Sequence, residues 1–282
     1  MGIMLMNIFK VEPYFRWAGG KRRLVPTLHQ LLPTEYTQYV EPFLGSACMY
    51  LSLTTNKPIL SDINLDLITS YKVIKTDVDK LITVLQELAK DTSSDGYYTV
   101  RDMDRSPSWH DVDDITRAAR FIYLNRTCFN GLYRVNSKGQ NNTPYGKISN
   151  PRICIPDHLH QLSDYFNDTD AEFIHTSYDS YLDRIQPKAL VYLDPPYHPL
   201  SDTSSFVAYS CNGWSNNDEV RLKEYCDKLT NRGIYFMLSN SDTDYIKDLF
   251  AEYTIHEVSV MRSIAANRAK RNMCTEVVIT NY

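Results

Sequence analysis

Short apolar runs alternate with stretches of helical spacing along this chain, a pattern that predicts a layered α/β protein. Tyr39-Val40-Glu41-Pro42-Phe43, Pro58-Ile59-Leu60-Ser61-Asp62, Leu190-Val191-Tyr192-Leu193-Asp194 and Ile234-Tyr235-Phe236-Met237-Leu238 read as buried strands. Each ends in polar or turn-forming residues, where an open parallel sheet presents its ligands. Between them, Lys21–Leu32 sets Leu24, Leu28, Leu31 and Leu32 on one helical face. Asp66–Ala89 repeats Ile68, Tyr71, Ile74, Leu81, Leu85 and Leu88 at helical spacing. Asn217–Thr230, with an Asn-rich cap and an acidic first turn, predicts another amphipathic helix. Tyr253–Val260 and Thr275–Thr280 are β-rich and predict an antiparallel pair at the end of the sheet.

From about Leu67 to Phe166 the strand pattern stops. Helical segments there lead into Asn136-Ser137-Lys138-Gly139-Gln140-Asn141-Asn142, which has hairpin chemistry. The simplest architecture is an α/β core formed by 1–66 and 167–282, interrupted by a mostly helical insert, 67–166. No internal repeat or low-complexity tract is visible.

Composition narrows the function. No apolar run is long enough to span a membrane, and the N-terminal residues lack signal-peptide features, so a cytoplasmic protein is expected. Six cysteines and seven histidines are scattered without metal-ligand spacing, so no metal and no disulfide framework are expected. Net charge is −4, which excludes a protein that coats nucleic acid by charge alone. Its distribution is uneven, however. Ile115–Asn150 contains no acidic residue yet carries Arg117, Arg120, Arg126, Arg134, Lys138 and Lys147, with Arg152 beyond. Arg262, Arg268, Lys270 and Arg271 form a second basic cluster. A polyanionic partner is indicated.

Asp194-Pro195-Pro196-Tyr197, after a strongly apolar strand, is the most informative tetrapeptide. The prolines fix φ and remove two backbone donors, leaving carbonyl acceptors beside a carboxylate and an aromatic ring. That set suits a flat amine such as adenine. Asp194 and the Pro195 carbonyl can accept the N6 hydrogens while Tyr197 packs on the base. Two acceptors there also direct the otherwise delocalised N6 lone pair at an electrophile and stabilise the developing positive charge. Trp17-Ala18-Gly19-Gly20-Lys21 opens the first helical stretch, where Lys21 can bind a carboxylate. Glu41-Pro42-Phe43-Leu44-Gly45-Ser46-Ala47 is a strand entering a turn, and Asp62 follows about 20 residues on, placed for ribose hydroxyls. With one glycine and no pyrophosphate cradle, the pattern favours an adenosyl ligand over a dinucleotide.

Taken together, these segments resemble the Dam family of DNA adenine-N6 methyltransferases over nearly the whole chain. Phe15–Lys21, Glu41–Gly45, Ser61-Asp62-Ile63-Asn64, Leu124-Asn125-Arg126 with Phe129–Arg134, and Asp194–Tyr197 carry the likeness. So do Leu200-Ser201, Phe206-Val207-Ala208-Tyr209, Ser239-Asn240 and Arg262-Ser263-Ile264. The resemblance implies a Rossmann-like S-adenosylmethionine-dependent methyltransferase sheet with a DNA-recognition insert. It implies cofactor contacts at Trp17, Ala18, Gly19, Lys21, Glu41, Phe43, Gly45, Asp62 and Asp194, and catalysis at Asp194, Pro195, Pro196 and Tyr197. It implies contacts to double-stranded DNA from Arg16, Asn130, Arg134, Val135, Asn136, Lys138 and Tyr145. A monomer that flips adenine out of GATC is expected, in a setting such as restriction-modification. Ser46-Ala47 stands where many relatives carry more glycine. Val135 and Lys138 stand where some carry an aromatic wedge and an arginine. The alternatives are a methyltransferase acting on RNA or a protein amide, or a non-catalytic DNA-binding relative.

Overall fold

The computed structural model describes residues 8–198, 214–261 and 273–282. Strands β1 (Tyr39–Glu41), β2 (Ile59–Asp62), β3 (Glu172–His175), β4 (Leu190–Leu193) and β5 (Tyr235–Ser241) run parallel to their neighbours. Strands β6 (Thr254–Met261) and β7 (Met273–Thr280) add the expected antiparallel pair, with β7 against β5. The sheet order is β3-β2-β1-β4-β5-β7-β6. The chain therefore moves outward from β1 to one edge and returns to lay β4 on the other side of β1. The carboxyl ends of β1 and β4 form the switch point where such sheets bind ligands.

Strand period decides what lies on each face. Val40, Val191, Leu193, Phe236 and Leu238 pack toward α7 (Asn216–Asn231) and α8 (Asp244–Leu249). Tyr39, Leu60, Leu190, Tyr192 and Met237 point into the opposite core. There they meet α2 (Leu65–Thr76) and α6 (Pro156–Asp168); the same core continues through α3 (Val78–Leu88), α4 (Ser94–Asp102) and α5 (Asp114–Thr127). A doubly wound α/β sheet with helices on both faces results. No helix among the described residues is long and apolar enough to cross a membrane.

Four elements differ from expectation. The helix expected over Lys21–Leu32 shortens to α1 (Val25–Gln30), because Pro26 has no N–H and holds the first turn. Asp66–Ala89 breaks at Asp77, whose backbone (φ −139°, ψ 39°) leaves the helical region and separates α2 from α3. Strand β3 has no alternating apolar signal: it is a four-residue edge strand whose ends, Glu172 and His175, are exposed. The cap of α7 is Ser215, in a reciprocal capping box with Asp218, rather than an asparagine. The hairpin chemistry after α5 is present. Asn136 accepts at Oδ1 from the backbone N–H groups of Lys138 and Gln140, and Gly139 takes φ +75°.

Candidate active site

Two acids meet at the switch point. Glu41 ends β1 and is almost fully buried, with Oε2 accepting from Tyr39 Oη at 2.8 Å and from the Tyr50 N–H at 3.0 Å. Burial pushes its carboxyl up to about 8. Asp194 follows β4. Its carboxylate takes an ion pair from Lys21, Nζ to Oδ1 2.7 Å, with 19% of the aspartate side chain exposed. Burial raises Asp194 to about 6, and the Lys21 ammonium opposes that rise. Lys21 is itself buried; its ammonium also donates to the Gly19 carbonyl at 2.7 Å and lies 4.4 Å from the centroid of the Tyr197 ring. Tyr197 Oη donates to Glu276 Oε2 at 2.8 Å, so β7 orients the ring. Pro195 is buried and Pro196 exposed. One ammonium thus touches the carboxylate and the ring face of the same turn.

Close backbone approach builds the neighbouring wall. Gly45 has φ +46°, and a Cβ there would lie 2.7 Å from Trp17 Cδ1. Gly45 N–H donates to Asp62 Oδ2 at 3.0 Å, while Asp62 Oδ1 accepts from the Asn64 N–H at 2.9 Å. Burial raises Asp62, and these backbone donors lower it. The Trp17 indole stacks on Tyr133, centroids 6.1 Å apart. Ala18 and Gly19 complete a turn closed by Gly20 N–H to the Trp17 carbonyl. Phe43 stacks on Tyr178 at 5.2 Å, with Trp214 edge-on at 5.9 Å. Ile63, beside Asp62, leaves 77% of its surface exposed.

The sequence reading did not name Tyr178, Trp214 or Glu276. Each arrives from a loop or strand far along the chain, so no local motif marks it. Among the described residues no group of His, Cys, Asp and Glu side chains is placed to hold a metal ion.

The basic stretch divides. Arg120 is buried on Asp104 (2.6 Å), Arg117 pairs with Asp66 (3.0 Å), and Arg126 donates to the Tyr14 carbonyl (2.5 Å). Those three serve the fold instead of facing a polyanion. Asn125 likewise grips Arg16, accepting from its N–H at 3.0 Å and donating to its carbonyl at 2.7 Å. Arg16, Asn130, Arg134, Lys138, Lys147 and Arg152 are exposed. Asn130 takes φ +56°, and the adjacent Gly131 packs against the Arg16 side chain. Arg134 donates to Asn142, and Val135 bridges Asn141 across the hairpin. Tyr145 turns its hydroxyl to the Thr92 carbonyl at 2.7 Å. Phe129, half exposed at 50%, stands beside Asn130; the sequence places it in the recognition segment without a contact of its own. Leu200, Ser201, Phe206–Tyr209, Arg262, Ser263, Ile264, Arg268, Lys270 and Arg271 lie outside the described residues.

Comparison with known proteins gives this geometry its context. The chain is 35% identical to the type II methyltransferase M1.LlaDCHI of Lactococcus lactis subsp. cremoris, covering 100% of this chain and 99% of that protein. It is 38% identical to the type II methyltransferase M.MjaIII of Methanocaldococcus jannaschii, covering 97% and 100%. A DNA adenine methylase of Salmonella typhi is 32% identical over 95% of each chain. The pattern of the D12 class N6 adenine-specific DNA methyltransferase family matches residues 17–264, from the tryptophan against Gly45 past the Asp194 turn. With an acceptor-rich turn at the switch point of its doubly wound sheet, the chain belongs to the D12 class N6 adenine-specific DNA methyltransferase family.

Proposed function

We propose that the chain transfers the methyl group of S-adenosylmethionine to N6 of an adenine extruded from duplex DNA, within GATC. The observation that carries this reading is the Asp194–Tyr197 turn. It is a carboxylate beside two donor-free residues, with an aromatic ring fixed by Glu276, at the carboxyl end of β4.

The residues present fit the donor. Gly45 leaves no room for a side chain against Trp17, and Gly20 lies 3.2 Å, measured from an added Cβ, from the Trp17 carbonyl. The two glycines therefore let the backbone close directly on Trp17, which holds the indole in place on this wall. Asp62 would take the ribose hydroxyls; Phe43 and the exposed Ile63 offer flat apolar contact for its base. Trp17, Ala18, Gly19 and Lys21 would border its amino-acid end, and buried Glu41 would support the β1 tip. When bound, the donor supplies an electrophilic methyl on a positively charged sulfur.

The chain's own groups do the rest. Asp194 and the Pro195 carbonyl accept the N6 hydrogens, Pro196 holds the turn rigid, and Tyr197 stacks the base. Asp194 would hold the N6 hydrogens while the donor's methyl is taken up, and the surplus N6 proton would leave through Asp194 to solvent.

Residues 67–166 would carry recognition, with Arg16, Asn130, Arg134, Val135, Asn136, Lys138 and Tyr145 forming or supporting the DNA-facing side. Phe129 is suited to wedge into the stack that the adenine vacates. One such insert beside one catalytic turn suffices for a monomer. Expression in a methylation-free host, with N6-methyladenine mapped base by base, tests the whole reading. Modified adenine confined to GATC is expected. No modified adenine, or modification at an unrelated sequence, overturns it.

A further inference from the structure

Pro195 and Pro196 give the catalytic turn no backbone N–H with which to brace itself. The brace lies at the next residue but one. His198 donates its backbone N–H to Asn240 Oδ1 at 3.2 Å, and its carbonyl accepts from Ser241 Oγ at 2.8 Å. Asn240 and Ser241 close β5, and both are buried. Asn240 Oδ1 also accepts from the Ser241 N–H at 2.8 Å, so the oxygen end of that amide must face the turn. Its Nδ2 points the other way, 3.3 and 3.2 Å from the two oxygens of Glu219.

Glu219 sits on α7 with no exposed surface, among Leu222, Tyr225, Cys226 and Leu229. A leucine would fill that helix face without the desolvation penalty that a buried carboxyl carries. What a leucine cannot do is orient an amide. An amide side chain can sit in either of two senses, and an accepting oxygen at one end favours the sense that turns Nδ2 toward it. Ionised or protonated, Glu219 keeps at least one accepting oxygen.

We propose that Glu219 is a positioning residue for methyl transfer. It fixes the sense of the Asn240 amide, and through it the end of the turn that carries Asp194 and Tyr197. The inference rests on the reading of that turn as catalytic. Removing the acceptor would leave Asn240 Nδ2 buried and unpaired, or flip the amide and release His198.

The test is steady-state methylation of a GATC duplex by the full chain. Glu219→Leu should lower kcat by about 10-fold or more with both KM values within about threefold, the signature of lost positioning rather than lost binding. Glu219→Gln, which retains an accepting oxygen, should restore kcat to within about threefold of the parent. Ser241→Ala, which frees the His198 carbonyl, should lower kcat with KM unchanged. Wild-type kcat in Glu219→Leu, equal impairment of the Leu and Gln variants, or losses confined to KM would overturn the proposal. If Glu219→Leu does not fold, Ser241→Ala decides alone: an unchanged kcat overturns the proposal. A parent chain inactive on duplex DNA would instead strike the underlying reading.

Discussion

Replacing Gly45 by alanine probes the wall proposed to face the donor with a single methyl group. Both backbone groups of Gly45 are committed: its N–H donates to Asp62 and its carbonyl accepts from Tyr71 Oη at 2.9 Å. Tyr71 is buried in the core, so the turn cannot slide away. The new methyl would stand 2.7 Å from Trp17 Cδ1 and 3.0 Å from Nε1, and the indole must yield. Yielding means parting from Tyr133 and Phe121, the rings it packs on. The backbone contributes less: Ala47, two residues on, already holds φ 57° as an alanine. The left-handed backbone costs about 1–2 kcal/mol and overpacking about 1–3 kcal/mol, roughly 2–5 kcal/mol together. Thermal unfolding should fall by about 5–15 °C. Affinity for S-adenosylhomocysteine, read by titration calorimetry, should fall with it, since Trp17 and Asp62 both border the turn. The cause is separable in a Trp17→Ala background, where Gly45→Ala should cost only the backbone share. Equal costs in both backgrounds, or unchanged affinity in the single variant, would refute the reasoning.

Asp194→Ala should lower the methylation rate by at least ~10²-fold while duplex binding persists, because acceptors of developing charge are removed. It should also destabilise the chain by stranding the Lys21 ammonium, and near-normal rates would count against the role of Asp194. With Asp194 pushed up to about 6, kcat/KM should fall as pH drops through that value, since the protonated acid loses acceptor capacity; a profile flat from pH 5 to 7 would contradict it. Glu41, pushed up to about 8 by burial, stays protonated in the folded chain at neutral pH. Its raised value contributes stability that is fully present below the unfolded value, 4.5, and is lost as pH rises through about 8. Denaturant midpoints should therefore fall between about pH 5 and 8 in the parent and fall less in Glu41→Gln. Lys138→Ala should blur discrimination at one base pair by roughly 1–3 kcal/mol, whereas Phe129→Ala should reduce 2-aminopurine fluorescence at the target. A uniform loss on all sequences for Lys138→Ala would make that lysine a phosphate contact.

What could be read from sequence depended on how local its cause was. The tetrapeptide Asp194–Tyr197 declared itself because an apolar strand, two prolines and an aromatic residue are contiguous. The antiparallel β6–β7 pair and the Asn136–Asn142 turn were legible for the same reason. Directions of side chains were not. Arg117, Arg120 and Arg126 sit in an acid-free window and look like a polyanion surface, but a charge run has no sign for inward or outward. Their partners lie elsewhere: Asp66 is 51 residues from Arg117, and Tyr14 is 112 from Arg126. Glu219, Glu276, Tyr178 and Trp214 escaped notice because each is informative only beside a residue from another element. The break at Asp77 was hidden because apolar spacing resumes beyond it with little change of pattern.

Lys21 shows how a motif can understate its residue. Sequence placed it to bind a carboxylate, and the structure supplies one from the chain itself, Asp194. The two roles are compatible in hydrogen-bond terms. An ammonium has three donors, and the Gly19 carbonyl and Asp194 Oδ1 engage two of them. One N–H remains for a ligand carboxylate, and the contact with Asp194 is made at one of its two oxygens. Lys21 can therefore keep Asp194 ionised, as its opposition to the burial effect requires, while the other oxygen meets an amine. Its position over the Tyr197 ring ties the same charge to the stacking surface. Under the roles proposed for that turn, Lys21→Met should cost more in turnover than in donor affinity, because two of the three ammonium contacts, Asp194 and the Tyr197 ring, lie on it.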